Sequence, residues 1–300
     1  MTITITGYCG DNKSNCFLQL FNLSGDSRLN GIAKHPTPPA AKDMKLIFED
    51  DFDGPLSLSP GGRGTRYTTR MPGDFSWMRN APSAAFDETG VPFLQRDTWL
   101  RLRIDTNPKD AAAGLISSIN DEGEGISVFL PCYFECRFVA HSAPGTRSSF
   151  RVMTTGVRKG APADELVVME ARGGEGSGYS DTSGYAIALR KWNQDNATEP
   201  GGFGFHCPVY MRGLLGGGYS AAGWHETPHT YGVYVGKEFT VYYCDNIEVT
   251  RHRTTKRSTD SKLFFLISNT LDDDGSADLS QYGGISDMYV DFVRAYQSEK

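Results

Sequence analysis

The chain has 300 residues, enough for one large core or at most two domains, and 12% of them are aromatic. A formal net charge of −6 argues against a nucleic-acid partner, whose footprint is a basic surface, and no run approaches the eighteen or so apolar residues that a membrane span needs. The 34 glycines, with many short Val, Ile, Phe and Tyr runs broken by Gly, Asp, Asn and Ser, point to an all-β chain rather than a helical one.

Residues 1–43 differ in pattern from the rest of the chain. MTITITGYCGDNKSNCF lacks the basic start and apolar stretch of a secretory leader. After the alternating TITIT come a Gly-Asp-Asn-Lys-Ser-Asn turn, an apolar patch at Phe17–Phe21 and the linker-like, proline-rich HPTPPAAKD. The segment reads as an appendage, either an extra strand on the main domain or an attachment to a larger assembly. From Met44 onward the pattern is continuous: KLIFED, WLRLRID, GLISSI, YFECRFVA, SSFRVM, ELVVMEAR, GYAIALRKW, HTYGVYV, EFTVYY, KLFFLISN and MYVDFVRAY are strands at sandwich spacing. Phe134, Cys136 and Phe138 alternate with Glu135 and Arg137, which predicts an antiparallel strand with one face on a core. The charged runs RHRTTKR and LDDDG read as solvated loops, the second with a calcium loop as the alternative. The spacings of Cys9, Cys16, Cys132, Cys136, Cys207 and Cys244 match no zinc pattern, so these are expected to be buried free thiols. Cys132 and Cys136 sit too far apart along one strand face to bond, whereas Cys9 can meet Cys16 across a turn.

The chemistry concentrates in residues 161–172, where Glu165 and Glu170 bracket an apolar β-type run. Residues five apart on a regular strand face opposite ways; a bulge near Val168 and Met169 restores the parity and puts Glu165, Val167 and Glu170 on one face. Two carboxyl groups about 5 Å apart are what retaining glycoside hydrolysis requires, one as nucleophile and one as acid/base. Alone, the pattern equally describes a strand whose end glutamates face water.

The order of several segments carries further information. FEDDFDG, GLISS, YFECRFVAHSAPGTRSSFRVM, DELVVMEARGG, HTYGVYVGKEFTVYYCDN, KLFFLISN and MYVDFVRAYQ together resemble the successive motifs of glycoside hydrolase family 16, over residues 44–297. The resemblance implies a concanavalin-like β-jelly-roll sandwich of two curved antiparallel sheets, with a sugar chain across the concave face. It implies a retaining endo-glycosidase acting on a β-linked polysaccharide, with Glu165 as nucleophile, Glu170 as acid/base and no catalytic cofactor. The setting it implies is extracellular, at a cell surface or on a phage particle.

Two departures stand out. Val167 occupies the place of the family's Asp, which hydrogen-bonds the nucleophile; its loss predicts a raised pKa and a looser rotamer for Glu165. Asp164 faces the other way and cannot replace it. Arg147 and Arg151 stand where the family carries tryptophans, which favours an anionic polysaccharide, with rim ion pairs as the bland alternative. Trp77, Trp192 and Trp224 remain as candidate sugar platforms, and Trp99 reads as core. Asp51 and Asp291 fall where some members hold a structural calcium between the first and last strands. His229 and Tyr231 match a family segment that reads as structural. The rival to an enzyme is a non-catalytic carbohydrate-binding or adhesive module on the same scaffold.

Overall fold

The computed structural model describes residues 35–73, 92–96, 98–106, 113–173, 184–193, 198–215, 223–225, 227–271 and 279–299. In chain order the strands are β1 (Lys45–Asp50), β2 (Leu58–Ser59), β3 (Tyr67–Thr68), β4 (Phe93–Arg96), β5 (Trp99–Asp105), β6 (Gly114–Ser117), β7 (Cys132–Ala140) and β8 (Thr146–Thr154). They continue as β9 (Ala163–Arg172), β10 (Gly184–Trp192), β11 (Thr198–Tyr210), β12 (His229–Val235), β13 (Phe239–Cys244), β14 (Ile247–Arg253), β15 (Leu263–Leu271) and β16 (Ile285–Gln297). One sheet runs β14-β13-β12-β7-β16-β5-β4, with β1 also on β16; the other runs β11-β10-β9-β8-β15-β6-β3-β2. The short β2–β3 pair is parallel and the long neighbours are antiparallel. This is the jelly-roll sandwich that the strand spacing predicts.

Alternation explains how the layers close. Phe134, Cys136 and Phe138 of β7, Phe150 and Val152 of β8, and Leu263, Phe265 and Ile267 of β15 all enter one core between the sheets. Phe265 is its hub, with the rings of Phe48, Phe134, Tyr67 and Phe150 at centroid distances of 5.8, 6.3, 6.3 and 6.5 Å. Because β15 pairs with β8, with Leu266 standing opposite Arg151, this core also fixes the strand that carries a candidate site residue.

The outer face of the first sheet departs from the simple expectation of a solvated side: Tyr133, Glu135 and Arg137 are buried there. Charges are buried because they are paired. Arg137 donates to Asp291, Arg103 forks onto Asp287 with two bonds of 2.7 Å, and Arg294 meets Glu135. Arg294 also donates to the carbonyls of His35 and Pro36 at 2.8 and 3.4 Å, and Ala41 packs against Tyr133 and Tyr296. The proline-rich residues 35–43 are therefore packed on this sheet rather than forming an unattached tether; residues 1–34, with Cys9 and Cys16, lie outside the described residues. Cys132, Cys136, Cys207 and Cys244 are free thiols, all but Cys207 buried.

Replacing Phe265 with alanine empties the centre of the aromatic cluster. The expected loss is about 3–5 kcal/mol of unfolding free energy, measured by urea denaturation; a loss under about 1 kcal/mol would show that the hub does not carry the sandwich.

Candidate active site

Strand β9 lies between β8 and β10, and both ladders slip at the same place. On one side Phe150 pairs with Met169 and the next residue, Arg151, with Val167; on the other, Ala186 pairs with Glu170 and Ala188 with Val167. The extra residue is Val168, where the sequence pattern calls for a bulge. Leu166, Val168, Met169 and Ala171 consequently point into the main core, and Glu165, Val167 and Glu170 share the opposite face.

Each glutamate on that face is engaged by the same two arginines. Arg151, across β8 from Val167, places Nε 3.3 Å from Glu165 Oε1 and Nη2 2.8 Å from Glu170 Oε2. Arg190, across β10 from Glu165, places Nη1 3.2 Å from Glu165 Oε1 and 3.2 Å from Glu170 Oε2, and Nη2 2.6 Å from Glu170 Oε1. Trp192 Nε1 donates to the remaining oxygen, Glu165 Oε2, at 2.9 Å. Glu165 is fully buried, Arg151 is 2% exposed and Glu170 6%. Four charges tolerate this burial because they sum to zero and each is hydrogen-bonded or paired. Burial works to raise the Glu170 pKa, but Arg190 and Arg151 outweigh it and hold the carboxyl well below the ordinary carboxylate range. Burial depresses Arg151 from the usual arginine value against the pull of both glutamates, whereas at Arg190 the two glutamates win and raise it.

No family model matches the chain, and no curated protein matches it. Solved structures do match. A non-specific endo-β-1,3(4)-glucanase from family GH16 has a TM-score of 0.61 and 17% identity, over 88% of this chain and 94% of that one. A LamA variant from Zobellia galactanivorans in complex with laminaritriose and laminaritetraose has a TM-score of 0.60 and 13% identity, over 84% and 99%. An immunostimulatory antigen and pseudo β-1,3-glucanase of Mycobacterium tuberculosis has a TM-score of 0.58 and 17% identity, over 85% and 99%. The fold is that of glycoside hydrolase family 16.

Against the family 16 pattern, several expectations change. Val167 does not leave Glu165 loose, because neighbouring strands supply the partners that valine cannot: Arg151, Arg190 and Trp192 fix both of its oxygens. Arg151 is not a rim residue but the buried partner of both glutamates. Arg147 does lie on the same face, directly opposite Arg172 of β9, and its charge helps to lower Glu170. Trp192 is a hydrogen-bond donor to Glu165, packed in a second apolar cluster with Met71, Met153 and Phe264, rather than an open platform. Trp224 is fully buried in the core between the sheets and cannot stack on sugar; Trp99 is buried as expected. Trp77 lies outside the described residues. Asp291 is buried and ion-paired with Arg137. Its expected companion Asp51 has its carboxyl raised by burial and by neighbouring Asp53.

Sequence reasoning does not single out Arg190 or Arg172. The available signal is the alternation Ala186, Ala188, Arg190 on β10, where two small side chains leave a long one room to reach along the neighbouring strand.

The sign of the Glu170 shift sets a pH dependence. A carboxyl whose folded pKa is depressed contributes stability that is complete above its unfolded value and is lost as pH falls below about 4.3. Glu170→Gln is expected to be less stable than the parent at pH 7, with the gap closing as the pH drops below about 4.3. Urea denaturation across pH 3–7 measures this; a gap that stays constant would refute the ion-pair account.

Proposed function

We propose that the concave face of this glycosidase fold binds a β-linked, anionic polysaccharide and holds it without cleaving it. The observation that carries this reading is the clamp of Arg151 and Arg190 on both glutamates. Retaining hydrolysis asks one carboxylate for an oxygen free to attack the anomeric carbon, and the other for a proton to give the leaving oxygen. In this arrangement both oxygens of Glu165 have partners, and Glu170 is ionised where a general acid needs a raised pKa. The anionic preference rests on the charge of that face beyond the balanced cluster: Glu165 and Glu170 offset Arg151 and Arg190, and Arg147 and Arg172, opposite one another on β8 and β9, add further positive charge. Guanidiniums suit carboxylate and sulfate groups, which they bind as a planar fork. The laminari-oligosaccharides on the Zobellia galactanivorans protein support sugar binding by this fold, and the same fold occurs in a Mycobacterium tuberculosis protein described as a pseudo β-1,3-glucanase.

The second reading is retaining endo-hydrolysis of a β-linked polysaccharide, with Glu165 as nucleophile and Glu170 as acid/base. It is favoured by the bulge at Val168, which puts both glutamates on one face. It requires both guanidiniums to leave the carboxylates when the sugar enters.

Binding and reducing-end release are to be measured together on neutral laminarin and on sulfated and uronate-containing β-glycans. The expected outcome is tighter binding of the anionic chains, weakened by added salt, with no reducing ends formed. Reducing ends released by the parent protein and abolished by Glu165→Gln or Glu170→Gln would establish the second reading instead. Equal affinity for laminarin and anionic chains at every salt concentration would sink the anionic preference.

A further inference from the structure

We propose that His229, Cys244 and Asp245 form a binding site for a divalent transition-metal ion of the zinc class. His229 opens β12, Cys244 closes β13, and Asp245 is the first residue of the two-residue turn into β14. Asp245 and Asn246 have φ of 48° and 64°, the pair of positive values that a tight hairpin turn of this hand requires. The turn folds the Asp245 carboxylate back toward the end of the strand pair. One nitrogen, one sulfur and one oxygen donor thereby come within 4.8 Å of one another.

The donors are oriented by a surrounding layer. In the metal-free protein His229 Nδ1–H donates to Asp245 Oδ2 at 2.6 Å, and Thr227 Oγ1 lies 3.0 Å from Nε2, where it can accept from the Nε2–H tautomer that the ring adopts when Nδ1 takes a metal. The backbone N–H of Thr230 donates to Asp245 Oδ1 at 2.8 Å, which holds the carboxylate with Oδ2 on the His229 side, where it accepts from Nδ1–H. The buried Tyr185 hydroxyl lies against the Cys244 thiol and makes no hydrogen bond of normal geometry. Outer partners of this kind on His and carboxylate ligands are what metal sites use to set ligand direction.

The mixed donor set selects the metal. Calcium and magnesium take oxygen ligands, whereas a thiolate, an imidazole and a carboxylate together suit zinc or cobalt. His229 and Cys244 are buried and Asp245 is on the exposed side, so three protein ligands leave a fourth, solvent-facing position for water. Tetrahedral bonds of about 2.0–2.1 Å separate ligand atoms by roughly 3.3 Å, so Asp245 Oδ2 must back away from His229 Nδ1 by under about 1 Å, a movement its place in the turn permits. Binding replaces two protons: that of the Cys244 thiol, which is released to solvent, and that of His229 Nδ1, whose place the metal takes as the ring becomes the Nε2–H tautomer by exchange with solvent.

The test uses the full chain, stripped with chelator and titrated with Co²⁺, followed by Zn²⁺. The expected result is one equivalent of Co²⁺ bound with a thiolate-to-cobalt charge-transfer band, displacement by Zn²⁺, and a rise in the thermal midpoint with zinc. Cys244→Ser should lose the band. Asp245→Asn preserves the acceptor for Thr230 and should weaken Co²⁺ binding roughly tenfold or more. It carries the test if circular dichroism shows that Cys244→Ser has not folded. Absence of the band from the parent protein would overturn the proposal, as would an unchanged band in folded Cys244→Ser, or unchanged affinity in Asp245→Asn.

Discussion

Four charged side chains on one strand face are compatible with burial only when each sees the opposite sign at contact distance. Glu165, Glu170, Arg151 and Arg190 meet that condition across three adjacent strands, and every one of them depends on the others. Removing one partner from such a cluster leaves an uncompensated buried charge, whose desolvation is not repaid. The residue at 167 has to fit the same balance. A third carboxylate there would stand directly across from Arg151 and draw it away, whereas valine leaves the two-against-two arrangement intact.

The backbone feature that permits the cluster is a single extra residue. Without the bulge at Val168, one glutamate would point into a core filled by Phe265, Phe150 and their neighbours, where a carboxylate has no partner. The bulge is common to the binding and the hydrolytic readings. What separates them is the occupancy of the carboxylate oxygens, because a general acid and an arginine-bound carboxylate place opposite demands on the same group.

The two sheets use ion pairs differently. On the outer face of the first sheet, Arg103–Asp287, Arg137–Asp291 and Arg294–Glu135 replace the solvated face that a half-buried antiparallel sheet usually presents. Arg294 extends this layer to the backbone of His35 and Pro36, so an ion pair of the sheet also docks the proline-rich segment. On the face bearing Glu165 and Glu170, the charged cluster adjoins an apolar patch of Met153, Phe264 and Trp192. Trp192 belongs to both, its ring in the patch and its N–H on Glu165.

The sequence by itself determined the sandwich, because period-two alternation and turn residues are local and repeat over many strands. It allowed the bulge without requiring it: an inserted residue puts Glu165 and Glu170 on one face, but the same residues equally describe a regular strand whose end glutamates face water, and the sheet pairing decides between them. It could not assign Arg190, because strand neighbours in a sheet are set by topology: β10 lies beside β9 through pairing that no short motif encodes. The fates of Trp224, Trp192 and Asp291 were hidden for the same reason. An aromatic or a carboxylate has the same local pattern whether it faces sugar, core or an arginine of a distant strand, and only the packed structure supplies that partner. His229, Cys244 and Asp245 show this most plainly: their sequence spacing fits no metal pattern, and the hairpin ladder and its tight turn are what bring the three donors together.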